Sequence, residues 1–160
     1  MKFVISSNLL SQRLQTLGRV IPSKNSMPIL DNFLFQVVDG KLTLTASDNE
    51  ITLRTTLELV ESDGNLSFAV NAKTLQDAMK EIPEQPLEFT VNPDGLEIRV
   101  DFQNGHYTLV GQNADEYPVT KGLEGEVSTL VVDAKRLYSS VSRALFAAAD
   151  DPLRPVMNGV

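Results

Sequence analysis

Few side chains in this sequence could carry out covalent or metal chemistry. It has one histidine, His106, and no cysteine, which removes disulfides, thiolate nucleophiles and cysteine metal sites together. His106 lies between Gly105 and Tyr107 on an alternating, strand-like stretch, where an unpartnered histidine is far more often structural or exposed than a general base. Asp48 and Glu50 have the spacing of a carboxylate pair or a hard-cation site. No further ligand accompanies them, so a turn or helix-cap role is expected. Gly122 and Gly125 do not form a phosphate loop, because no strand precedes them and no helix follows at the required spacing. No catalytic residue, metal site or cofactor is expected.

The other chemistry open to this chain is electrostatic. The net charge is −7, which taken alone disfavours a nucleic-acid partner. Its distribution points the other way. Residues 6–20, 71–82 and 133–147 hold seven of the 14 basic residues and only three of the 21 acidic ones, Asp77, Glu81 and Asp133. Those basic residues are Arg13, Arg19, Lys73, Lys80, Lys135, Arg136 and Arg143. Positive segments on an acidic body attract phosphate locally and repel it elsewhere. The plainer alternative is that these are solvated helix faces.

The elements that must position these charges are repeated. Phe3–Leu17, Phe68–Ile82 and Leu130–Ala144 each read as a short apolar strand, a polar cap and an amphipathic helix, aligned without gaps at offsets of 65 and 127. Ser6 matches Asn71 and Asp133, and Leu10 matches Leu75 and Leu137. The core stripes are Leu10, Leu14, Leu17 and Ile21; then Leu75, Ala78, Met79 and Ile82; then Leu137, Val141, Ala144 and Leu145. Asn8, Gln12, Gln15 and Arg19 oppose the first stripe, Lys73, Gln76 and Lys80 the second, and Lys135, Ser139 and Ser142 the third. The 127 offset extends to Pro28-Ile29-Leu30-Asp31-Asn32 and Pro155-Val156-Met157-Asn158-Gly159, so a second domain is expected to begin near residue 128. The expected division is a first domain over 1–120, a linker over 121–127 and a truncated second domain over 128–160, the chain being an N-terminal fragment.

Between the helices the pattern changes to period 2. Strands are expected at 33–38, 41–46, 51–60, 66–70, 87–92, 96–102 and 106–112, with Asp39-Gly40 as a strong hairpin turn. Together with the strand at Phe3 this gives eight antiparallel strands and two helices, an α+β domain of duplicated strand-helix-three-strand units with both helices on one side. Residues 22–28 form its one long irregular connection. No apolar run approaches the roughly 20 residues of a membrane helix, no signal-peptide h-region is visible, and a soluble cytosolic protein is expected.

At this point the residues resemble a known family, the β sliding clamps of bacterial replicative DNA polymerase. The resemblance rests on Met1-Lys2-Phe3, Pro28-Ile29-Leu30-Asp31-Asn32, the segment from Leu42 to Asp48, Asp115-Glu116-Tyr117-Pro118, and the run from Arg154 to Val160. It implies a non-catalytic processivity factor of three such domains, closing head to tail into a homodimeric ring around duplex DNA, sheets outside and helices lining the hole. The implied DNA-facing residues are Lys24, Lys73, Lys80, Arg19, Lys135 and Arg154. Arg136 aligns with core-side Leu9 and is less suited, and Asp150 and Asp151 depart from the polar residues some members carry. Tyr107 and Leu109, on the 106–112 strand, are implied anchors of the ring interface, although alternation alone would also place them on the domain's own core. The implied partners are double-stranded DNA without sequence preference, the replicative polymerase and the clamp loader. The peptide-binding groove of the family falls mostly outside these residues. A protein-interaction scaffold of the same duplicated fold, with no affinity for DNA, is the alternative.

Overall fold

The computed structural model describes residues 1–22, 27–118, 125, 127–149, 151 and 153–160. Lys24, Gly122 and most of the expected 121–127 linker lie outside the described residues. Two compact units are present, Met1–Thr120 and Lys121–Val160.

Each polar cap meets its helix as the repeat requires. Ser6 Oγ accepts a long 3.5 Å bond from Leu9 N at the start of α1 (Ser7–Leu17). Asn71 Oδ1 accepts from Thr74 N at 3.0 Å before α2 (Ala72–Lys80), and Asp133 Oδ1 from Arg136 N at 2.9 Å before α3 (Ala134–Ala144). These oxygens satisfy N–H groups that the first helical turn leaves without a carbonyl. The Pro28–Asp31 and Pro155–Met157 segments are both 3-10 turns, so the 127 offset is structural as well as sequential.

Nine strands form one antiparallel sheet in the first unit: β1 (Lys2–Ser6), β2 (Asn32–Val38), β3 (Lys41–Ser47), β4 (Thr52–Glu58), β5 (Glu61–Ser62), β6 (Leu66–Asn71), β7 (Pro86–Val91), β8 (Glu97–Phe102) and β9 (Gly105–Asn113). Their order is β4-β3-β2-β6-β9-β8-β7-β1-β5. Substituting β1 for β6, β2 for β7, β3 for β8 and β4 for β9 maps β4-β3-β2-β6 onto β9-β8-β7-β1, an internal two-fold. Each half's first strand completes the other half's hairpin. Phe3 pairs with Phe89, and its equivalent Phe68 pairs with Phe35. The rings stack in both pairs, at 4.7 Å and 5.1 Å.

Phe35 and Phe89 also approach each other to 6.4 Å. Their strands are four steps apart in the sheet, which in a flat sheet is about 19 Å. The halves must therefore fold toward one another, and β9 is where they turn: its first six residues pair with β8 and its last three with β6. Gly111 sits at the switch, donating to Leu96 O at 2.7 Å. A Cβ there would meet Leu96 O at 3.1 Å and Ala69 O at 3.2 Å, so a side chain would crowd two backbones. Between the halves and the helices lies the main core, including Leu10, Leu14, Leu75, Met79 and the four phenylalanines.

Three local expectations change. The 51–60 strand breaks after Glu58: Leu59 N bonds to Gly40 O, Val60 N turns to Val4 O, and β5 joins β1, exchanging one half-sheet for the other. Strand β8 starts at Glu97 because Leu96 takes a left-handed φ of 49°. The third copy forms its cap and helix but no strand at Leu130–Val132. In the first unit each equivalent strand pairs with another half-unit's hairpin, and no such hairpin is described beside residues 130–132. Leu130 and Val131 are accordingly 84% and 92% exposed. The Asp39-Gly40 turn holds, with φ of 49° and 75°, the geometry of a tight hairpin of primed type.

Gln76 departs from its expected solvent-facing position. Its Nε2 donates to Leu14 O at 2.8 Å, tying α2 to the end of α1 across Gly18. A Cβ at Gly18 would collide with that amide. Gly18→Ala is expected to displace it and cost about 1 kcal/mol, whereas in a Gln76→Ala background the same change should cost clearly less, since only the 3.1 Å approach to Leu14 O remains and the unfolded chain loses freedom. Urea denaturation of the four proteins checks this, and additive effects would contradict it.

Candidate nucleic-acid interface

In the first unit α1 and α2 bury most of their apolar residues and leave their charged residues exposed. In α2, Ala72, Leu75 and Met79 are buried while Lys73 and Lys80 are exposed. Lys73 borders a cleft with Gly18, Ile21 and Gln76, and Lys80 borders another with Asn8, Ser11 and Gln15. The two helices therefore run antiparallel, with a lysine of α2 beside each end of α1. Seven residues of helix separate these lysines by about 10 Å.

Ion pairing distinguishes them. Lys80 Nζ holds Asp77 at 2.9 Å, and this contact, with a smaller contribution from Lys73, keeps the Asp77 carboxyl below its usual range. Arg154 Nε holds Asp151 at 2.8 Å, lowering that carboxyl likewise, helped by the Leu153 N–H. Both pairs are exposed and of little stabilising value. Their effect is to share out cationic charge. Arg19, Lys73 and Lys135 have no ion pair among the described residues. Arg19 lies beyond the end of α1, in the turn where its N–H bonds to Thr16 O at 3.4 Å, so its guanidinium is not on the helical stripe. Lys135 is exposed on α3, in the second unit.

Tyr107 and Leu109 are half-buried against the core, Tyr107 stacking on Phe102 at 5.4 Å. Their strand pairs with β8 on one side, while β6 pairs with β9 only from Gly111 onward. Residues 105–110 thus have an unpaired backbone edge. By the internal two-fold β4 has the same property, being terminal in the sheet.

His106 and Asp48 sit in a strand and a turn. His106 is exposed opposite Asp101, whose carboxyl is held low mainly by Arg99 at 2.7 Å. Asp48 Oδ1 accepts from Glu50 N at 2.9 Å and Ile51 N at 2.6 Å, closing a turn. These bonds, that from Ile51 foremost, lower its pKa. Among the described residues no cluster of three or more His, Cys, Asp or Glu could hold a metal, and no helix is long and apolar enough to cross a membrane.

A two-fold α+β unit, with helices on one side of a folded antiparallel sheet and cations on the helices, defines a clamp-type domain. Residues 1–121 match the family model described as the DNA polymerase III beta subunit, N-terminal domain, and the chain belongs to that family. It is 29% identical to the beta sliding clamp of Haemophilus influenzae, over 100% of this chain and 43% of that protein. The beta sliding clamp of Vibrio cholerae is also 29% identical over 100% of the chain and 43% of its own length. Among solved structures, the DNA polymerase III subunit beta of Pseudomonas aeruginosa superposes with a TM-score of 0.89 at 25% identity, covering 99% of this chain and 43% of that one. The chain thus spans less than half the length of the relatives it matches.

Proposed function

We propose that residues 1–160 are the N-terminal part of a sliding clamp, a non-catalytic processivity factor that encircles duplex DNA and tethers the replicative polymerase in the cytoplasm, at the nucleoid. The observation that supports this most is the pairing of a cation-bearing helical side with two unpaired sheet edges related by the internal two-fold. Edges at opposite ends of one module suit head-to-tail closure by strand addition. Residues 128–160 are the start of a second clamp domain in this reading.

A ring solves a kinetic problem. Nonspecific electrostatic binding has a dissociation constant of roughly 10⁻⁴ to 10⁻⁶ M at physiological salt. With association at about 10⁷ M⁻¹s⁻¹, contact alone would break on the order of ten to a thousand times per second. Encirclement separates residence time from affinity. Phosphate contacts without sequence information then suffice, supplied by Lys73 and Lys80 foremost, with Arg19, Lys24, Lys135 and Arg154. Polymerase and clamp loader are the protein partners.

Ring closure runs through the edge carrying Tyr107 and Leu109. In the whole polypeptide, Tyr107→Glu with Leu109→Glu should convert a two-chain mass to a one-chain mass by light scattering, and an unchanged two-chain mass would contradict this interface. Residues 1–160 alone are expected to be monomeric or to associate in a nonnative way, and a stable two-subunit ring by light scattering would contradict this.

A further inference from the structure

The sheet face opposite the helices carries a second feature. Cross-strand pairing sets Arg54, Thr45, Leu34 and Ala69 in one row across β4, β3, β2 and β6. On either side of that row the hydroxyls pair off, Thr43 with Thr56 at 3.2 Å and Ser47 with Thr52 at 2.9 Å. Thr45 faces Arg54 instead, and its Oγ1 is buried without a hydrogen-bond partner. The only other buried side-chain polar atom so placed among the described residues is the Tyr117 hydroxyl. Both residues line one cavity of about 310 Å³, with Arg54, Asp115, Gln36 and Ser67 as its other polar residues and Leu34 and Pro118 among its apolar ones. Thr45 is 2% and Tyr117 4% exposed.

Two unpartnered hydroxyls on residues that line one cavity are unusual, because nearly all buried polar groups find partners and an unmade bond costs about 1–3 kcal/mol. Tyr117 cannot relieve the cost by ionising. Burial raises its pKa to about 12, with the Ser47 backbone acting in the opposite direction. It remains a donor at neutral pH. Arg54 adds a guanidinium that has no ion pair among the described residues. The Thr45, Tyr117 and Arg54 donors match an acceptor-only anion on a short stem that passes Leu34 and Pro118 and keeps clear of the Asp115 carboxylate, and the volume is at the lower end for ligand sites.

We propose that this cavity binds a carboxylate, accepted by the Thr45 and Tyr117 hydroxyls and paired with Arg54. The site lies on the face away from the DNA-facing helices and does not depend on the clamp reading. The carboxylate is either a free short-chain acid or the end of a peptide. The experiment is a titration of the 160-residue chain, followed by amide chemical shifts, with sodium butyrate and separately with an N-acetylated tripeptide ending in leucine. Saturable shifts at Thr45, Arg54 and Tyr117 are expected with a dissociation constant on the order of 1 mM for butyrate. Tighter binding of the tripeptide would identify a peptide end as the source. Arg54→Gln should weaken binding about tenfold or more. Tyr117→Phe should weaken it about fivefold or more while raising the urea midpoint, since it removes an orphaned hydroxyl. No saturable shift with either probe would overturn the proposal. So would a Tyr117→Phe variant with unchanged binding and unchanged stability, which would mean that water satisfies the hydroxyl.

Discussion

Phe89→Ala is expected to cost about 3–5 kcal/mol, the usual range for emptying an aromatic site in a core. Phe89 is 1% exposed, stacks on Phe3 and reaches Phe35 across the internal two-fold. The loss therefore falls on a pair within one half-sheet and on the contact joining the halves. Against a typical total of about 5–15 kcal/mol, that is enough to bring a domain of this size near its unfolding threshold. Val110→Ala is the comparison, on a side chain 77% exposed, and should stay within about 0.5 kcal/mol. Urea midpoints of the two variants check the pair of values. A Phe89→Ala loss below about 1 kcal/mol would mean that the half-sheets can close without the ring, contrary to the 6.4 Å approach.

Neutralising the α2 lysines carries the second large effect. Lys73→Gln with Lys80→Gln is expected to reduce the slope of log affinity against log salt by about 1.8, since each phosphate contact contributes about 0.9. At low salt the double variant should bind duplex DNA more than tenfold more weakly, and the difference should narrow as salt rises, because the missing contacts were themselves salt-sensitive. Lys73 should account for the larger part, as Lys80 already shares its charge with Asp77. Lys2→Gln is the control: Lys2 pairs with Glu88 at 2.8 Å on the sheet, away from the helices. Fluorescence anisotropy over a salt series, on the whole polypeptide, reads the double variant, its two single variants and the control. Equal slopes for the double variant and the parent would remove these lysines from the interface and favour a scaffold that does not bind DNA.

Much of the architecture could be read from residue types because it depends on local chemistry repeated at fixed offsets. Ser6, Asn71 and Asp133 announced helix starts, Asp39-Gly40 announced a hairpin, and the Leu10, Leu14, Leu17 spacing announced the buried face. Features that depend on distant partners could not be read in this way. The swap that pairs Phe3 with Phe89 and Phe68 with Phe35 is invisible to periodicity, since each strand alternates identically whichever neighbour it joins. The break between β4 and β5 follows from competition between β3 and β1 for one segment. Leu130–Val132 has the pattern of a strand yet forms none, because a strand needs an edge to bond to. Gln76 looked like a surface residue until α1 supplied Leu14 O. The Thr45–Tyr117 cavity had only a faint trace, a threonine alternating along β3 opposite an arginine, and nothing local ties either residue to Tyr117, which is distant in sequence.

The clamp reading predicts a topological bond to DNA, and topology can be tested apart from affinity. The whole polypeptide carrying this segment is assembled on nicked circular plasmid and passed through gel filtration before and after a single restriction cut. Co-elution with the circle and release from the linear form is the expected result, because a ring held by encirclement slides off a free end while its contacts stay the same. Equal retention on circular and linear DNA, or equal loss from both, would contradict it.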